Sequence, residues 1–208
     1  MFQKFISKQL ARPSGLFGRQ VTSRWLEKAN TKMNVLTLEQ LALNGTDKVL
    51  EIGFGSGYLL ERILKEKPCE FTAGVELSED MVTLVSRRLR NSIDSGMADV
   101  RLGDIENLPY VDAQFSKLCS VNTLYFWKDP SAALLECRRV LITGGKIVIC
   151  FNSKTDLTAW PGHVHGFKLY EFFEVEEMLT AAGFYQIEVV SEKDTEQGLF
   201  YCVSGVAV

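Results

Sequence analysis

Nine residues, V-L-E-I-G-F-G-S-G at 49–57, constrain this chain more than any others. The apolar run behind Asp47 and Lys48 has the pattern of a central parallel strand, and it passes directly into a glycine-rich turn. Glycine takes positive φ without steric cost and lets a ligand approach the backbone, so strand, turn and following helix predict a binding site at the turn. Gly53, Gly55 and Gly57 follow a G-x-G-x-G spacing. A dinucleotide fingerprint would want its third glycine one position later, where Tyr58 stands, which argues against a pyrophosphate ligand and an NAD-dependent oxidoreductase.

The segments downstream give that turn its context. A second strand, 71–77, carries Glu76 about 20 residues after the glycine loop, where a carboxylate can accept both hydroxyls of a ribose. A third, 98–102, leads into G-D-I-E-N-L-P at 103–109 and sets the Asp104 carboxylate beside Ile105. A fourth, 117–121, ends in N-T-L-Y-F-W at 122–127, and strand ends of an open α/β sheet hold the chemistry. With G-V-E-L-S at 74–78 and R-R-V-L-I-T-G-G at 138–145, the ordered set resembles the class I S-adenosylmethionine (SAM) dependent methyltransferases. Within them it looks most like the ubiquinone/menaquinone-biosynthesis-like small-molecule group, and the resemblance covers roughly 45–208.

That resemblance implies a Rossmann-like α/β domain over 45–208, with a seven-stranded, mostly parallel sheet, an antiparallel last strand and helices on both faces. Residues 1–44 would form an N-terminal helical cap. It implies SAM as cofactor, with Gly53, Gly55 and Gly57 on the methionine side and Glu51 facing either the loop or the cofactor amino group. Glu76 would take the ribose, Leu77 and Met81 the turn after strand two, Asp104 and Ile105 the adenine, and Asn122 the floor near the reacting methyl. Tyr125, Trp127, His165 and Phe167 are the candidate acceptor pocket, and His163, His165 and Tyr125 the candidate bases if one is needed. Plain packing remains the alternative for Met81 and the aromatics, and a surface loop for the histidines. A nucleic-acid or protein acceptor, or a non-catalytic SAM-binding role, stays open beside the small-molecule reading. The chain departs from the pattern at Ser116, where an acid commonly follows the phenylalanine, and at Thr143, where a proline commonly precedes the paired glycines.

Composition narrows the field. A net charge of -3 provides no overall basic field to gather nucleic acid, and the strand-four end lacks the N-P-P-Y and P-C motifs of nucleic-acid enzymes of this fold. The five cysteines are scattered without a C-x-x-C, the reading expected of reduced thiols in a cytoplasmic protein. Two histidines two apart predict no metal site. No apolar run approaches the ~18 residues of a membrane span.

Several local expectations follow. The basic, acid-free first 26 residues superficially suit a transit peptide, but Val21, Trp25, Ala29, Met33 and Leu36 recur at near-helical spacing and predict an amphipathic helix over the domain. Thr37 and Gln40 have the spacing of a capping box for a short helix ending at Asn44 and Gly45. Ser78 and Asp129 are candidate N-caps, and Gly183 a helix terminator. Residues 152–168 show no clear structure. Residues 185–190 and 199–208 predict an antiparallel hairpin at the sheet edge, its last strand apolar on both faces.

Overall fold

The computed structural model describes residues 2–15, 30–66, 69–195 and 198–208. Its centre is a seven-stranded sheet in the order β3-β2-β1-β4-β5-β7-β6. The strands are β1 (Lys48–Ile52), β2 (Phe71–Glu76), β3 (Ala98–Leu102), β4 (Phe115–Val121), β5 (Leu141–Asn152), β6 (Phe184–Asp194) and β7 (Gly198–Ala207). Strands β1 to β5 pair parallel, and β7 runs antiparallel to both β5 and β6. The helices are α1 (Phe2–Ala11), α2 (Thr31–Leu41), α3 (Tyr58–Glu66), α4 (Glu79–Arg88), α5 (Arg90–Asp94), α6 (Pro130–Val140), α7 (Lys154–Ala159) and α8 (Phe172–Ala181). Among the described residues no helix is long and apolar enough to cross a membrane.

Alternation along the strands sends side chains into two cores. Leu50 and Ile52 of β1 join Leu118, Ile147, Ile149 and Val203 on the face covered by α6 and α8, where Leu134, Cys137, Val175 and Leu179 meet them. Val49, Cys119, Val148, Cys150 and Cys202 point the other way, against Met33, Leu36 and Leu41 of α2 and Leu59 and Ile63 of α3. A strand buried on both faces has few polar positions to spare, which is why β1, after the half-buried Lys48 at its start, is apolar except at Glu51.

The helix starts follow local chemistry. Ser78 Oγ accepts from Met81 N (3.3 Å), and Asp129 Oδ1 accepts from Ser131 N (2.9 Å) and Ala132 N (3.2 Å) with Pro130 behind it. Gly183 follows α8 at φ +87. Ser116 Oγ donates to Asp47 Oδ1 (2.7 Å) and accepts from Lys48 N (3.0 Å), fastening the start of β1 to β4.

Two expectations are corrected. Thr37 is no cap: it lies inside α2, buried, with its Oγ1 donating to Met33 O (2.7 Å). A mid-helix threonine can turn its hydroxyl back on the preceding turn, so a T-x-x-Q spacing alone does not mark a helix start. The stretch 152–168 is structured, because Ser153 Oγ accepts from Asp156 N (3.1 Å) and caps α7, and a 3-10 turn follows at Pro161–Val164. The hairpin expected at the sheet edge is there: β7 lies between β5 and β6, and β6 is the outer strand. The helical spacing expected over Val21, Trp25 and Ala29 lies outside the described residues.

Candidate active site

One cavity opens at the C-terminal ends of β1, β2 and β4, where the strand order turns back on either side of β1 and leaves a crevice. Glu51, Gly53, Gly55, Glu76, Leu77, Asp104, Ile105, Asn122 and Trp127 line it. The glycine loop does so by its backbone. Gly53 at φ +69 donates its N–H to Val75 O (2.7 Å), and Gly55 at φ +50 donates to Glu76 Oε2 (3.0 Å), so the carboxylate at the end of β2 holds the loop. The other Glu76 oxygen accepts from Ser78 N (2.9 Å). A Cβ on Gly55 would meet no atom within 4 Å, leaving that side of the loop free for a ligand. Gly57 does not line the cavity: its Cβ would lie 2.8 Å from both methyls of Val85, and it closes the turn through Phe54 O.

Glu51 is the electrostatic anomaly. Only 4 % exposed, it sits where every neighbouring β1 position is apolar, and its Oε2 has no hydrogen-bond partner. Burial pushes its pKa from 4.5 up to about 8, against the pull of the Leu60 backbone amide, and the nearby Glu76 charge adds to the rise. Burial also raises Glu76, which the amides of Ser78, Gly55 and Leu77 partly oppose. A carboxyl whose folded pKa exceeds its unfolded value binds more protons when folded, so its contribution to stability falls as pH rises from about 4.5 to 8. We therefore expect ligand-free Glu51→Gln protein to outlast the natural chain in urea at pH 9 by a few kcal/mol (about 3–5), with the gap closing by pH 5. Parallel pH dependence of the two proteins would contradict the buried, protonated carboxyl.

At the β4 end, Asn122 takes φ +57, uncommon for a side chain other than glycine. Its Nδ2 donates to Asn30 Oδ1 (2.8 Å) and contacts Met33 Sδ (3.2 Å), while its Oδ1 accepts from Tyr125 OH (2.9 Å). Tyr125 OH also accepts from Asn152 N (2.5 Å), so this phenol is buried and committed, its pKa driven well up by burial. Tyr125 thus orients Asn122 rather than lining the cavity.

Other expected site residues also stand elsewhere. Met81 is fully buried among Phe54, Leu60, Val85 and Leu89, a core position, because the Ser78 cap turns the first residues of α4 inward. Phe167 packs on the rings of Tyr125 (5.5 Å between centroids) and Phe126 (4.6 Å), away from the cavity. His163 Nδ1 bonds Trp160 O (2.6 Å), and neither histidine lines the cavity. Among the described residues no cluster of metal-ligating side chains occurs.

The N-terminal segment, expected from the sequence as a helical cap, supplies wall residues that the sequence reading did not name. Leu10, Ala11, Pro13, Asn30 and Asn34 line the cavity opposite the strand ends. Ser78 Oγ donates to Pro13 O, Gly15 N to Asp80 Oδ2 (2.7 Å), and Ser7 Oγ to Gly162 O (2.8 Å), so α1 and the residues after it lie across the mouth and meet the 3-10 turn. These are hydrogen bonds between distant segments, invisible to periodicity.

Residues 50–149 match the methyltransferase domain family. Over 127 residues the chain is 32 % identical to an uncharacterized methyltransferase, YdaC, of Bacillus subtilis, spanning 60 % of this chain and 67 % of that protein. This chain is a member of the SAM-dependent methyltransferase family. To the ubiquinone/menaquinone biosynthesis C-methyltransferase of Geobacter the methyltransferase is 26 % identical over 129 residues, 62 % of its own length and 55 % of that protein. It thus spans about two thirds or less of the curated relatives it matches here. The phosphoethanolamine N-methyltransferase 2 of Haemonchus contortus, solved with SAM, shares the fold with a TM-score of 0.76 at 15 % identity, over all of this chain and 60 % of that one. SAM is the cofactor of this family, and the cavity fits it: a free carboxylate oxygen, a loop face with room for a ligand, and a second carboxylate at the end of β2.

Proposed function

We propose that this methyltransferase moves a methyl group from SAM to a small-molecule acceptor, within a domain of residues 45–208 closed by a cap of residues 1–44. One observation carries the reading: the orphaned Glu51 Oε2, the open side of Gly55 and the Glu76 carboxylate line one cavity. In this arrangement Glu51 takes the ammonium of the methionine moiety, and the amides of the glycine loop and the start of α3 approach its carboxylate. Glu76 accepts from the ribose while holding Gly55, and Asp104 and Ile105 border the adenine with Leu77. When bound, the cofactor supplies a sulfonium methyl that is already an activated electrophile.

The protein's task is therefore alignment and exclusion of water. Asn122, clamped between Asn30 and Tyr125, forms a rigid amide floor at the β4 end, and Phe126 and Trp127 add apolar wall. The cap, hydrogen-bonded across the mouth, shuts solvent out. A small acceptor is supported by the likeness to the ubiquinone/menaquinone biosynthesis relative. Five free cysteines, four of them buried, agree with a reducing, cytoplasmic setting.

Titration calorimetry with S-adenosylhomocysteine tests the reading. One site per chain is expected, with Glu76→Ala weaker by ~1–3 kcal/mol through lost charged hydrogen bonds. Incubation with SAM and a panel of small thiols, amines, phenols and quinols should then release S-adenosylhomocysteine with at least one of them. Folded protein that binds no S-adenosylhomocysteine would overturn the assignment.

A further inference from the structure

The cap does more than cover the mouth. Asn34, on α2, is 5 % exposed and borders the cavity, yet its side-chain amide makes no hydrogen bond to any described residue. The amide is not sealed off from the cavity it borders, so a ligand there can take its hydrogen bonds. Its neighbours fix where that ligand group lies. Asn34 follows Asn30 by one helical turn, its backbone N donating to Asn30 O (2.8 Å), and Asn30 holds Asn122. Met33, the preceding residue, packs with Val49 of β1 and Leu59 of α3. Glu51 alternates with Val49 and so faces this same side of the sheet, beneath α2 and α3. The cavity is thus bordered by two polar side chains with hydrogen-bonding capacity to spare, one from the strand and one from the cap.

We infer that Asn34 is a binding residue for the amino-acid end of the cofactor, its amide sharing the ammonium and carboxylate of the methionine moiety with Glu51 and the glycine loop. The inference rests on the cofactor placement proposed above and extends it to a residue outside the matched domain of 50–149. Binding then satisfies an amide on α2 and a carboxyl on β1 together, which ties the cap to cofactor occupancy. An amide suits this place because it offers both an acceptor and a donor to a group carrying both charges.

Two probes separate the possibilities: S-adenosylhomocysteine, which carries the amino-acid group, and 5′-methylthioadenosine, which lacks it. Asn34→Leu keeps the volume and removes both hydrogen-bonding functions. Affinity for S-adenosylhomocysteine should fall about tenfold or more, while that for methylthioadenosine changes less than about twofold. The melting temperature of the ligand-free variant should hold or rise, since an unpartnered amide has been replaced by an apolar group, and Asn34→Ala provides a second reading if the leucine disturbs packing. In a double-mutant cycle with Glu51→Gln the losses should be non-additive. Unchanged S-adenosylhomocysteine affinity in a folded variant, or equal losses for both probes, overturns this inference alone. A natural chain that binds neither probe overturns the cofactor placement and this inference with it.

Discussion

A chain cut after Asp194 is expected to be insoluble. Strand β7 pairs along β5 from Lys146↔Val206 to Asn152↔Phe200, and along β6 from Phe184↔Ala207 to Asp194↔Gly198. Its loss would strip two strands of their partner and leave a long apolar edge on β5 open to other chains. Phe200 and Cys202 enter the core beneath α2 and α3, whereas Val203 and Ala207 enter the core beneath α6 and α8. At about 1.5–3 kcal/mol for each large buried apolar side chain, removing Phe200 and Val203 with the pairings around them approaches the ~5–15 kcal/mol that holds a whole domain together. Val203→Asp should reproduce much of the effect by placing an unpaired carboxylate where no solvent reaches. Soluble truncated protein with native melting behaviour, measured by circular dichroism, would contradict the interior placement of β7.

Gly55→Val is expected to leave a folded protein that no longer retains S-adenosylhomocysteine, with affinity lowered more than ~1,000-fold, about 4 kcal/mol. The site lies at φ +50, where a β-branched side chain is strained, and the new methyls would occupy the open face beside Glu76. Gly57→Val, two residues on, should fail differently: its Cβ drives into Val85 at 2.8 Å, so the fold should suffer before binding is reached. Calorimetry and thermal melts on the pair resolve the two roles. Full affinity in Gly55→Val would remove the glycine loop from the site.

Much of this architecture could be read from the chain. The strand-to-glycine passage at 49–57, Glu76 and Asp104 at successive strand ends, and caps at Ser78 and Asp129 are short-range patterns, and each is where expected. Of the candidate-site residues read from the sequence, Glu51, Gly53, Gly55, Glu76, Leu77, Asp104, Ile105, Asn122 and Trp127 line one cavity. Met81, Gly57, Tyr125, Phe167 and the two histidines lie outside it, although their sequence neighbours border the site. Adjacency along the chain does not fix which way a side chain points once a helix cap or a turn has rotated it.

The sequence by itself determined the local matters: strand and helix order, the loop that must accept positive φ, and the carboxylates that end β1, β2 and β3. These depend on propensity, alternation and turn chemistry within a few residues. Only the tertiary structure decided that Tyr125 grips Asn122 and that Asn30 and Asn34 complete a wall begun by residues some 20 to 90 positions away. Burial gives Glu51 its character in the same way. A glutamate within an apolar strand reads the same whether its partner is water, an arginine or nothing. Packing around Glu51 buries its side chain and leaves Oε2 without a partner, and that burial pushes its pKa up to about 8.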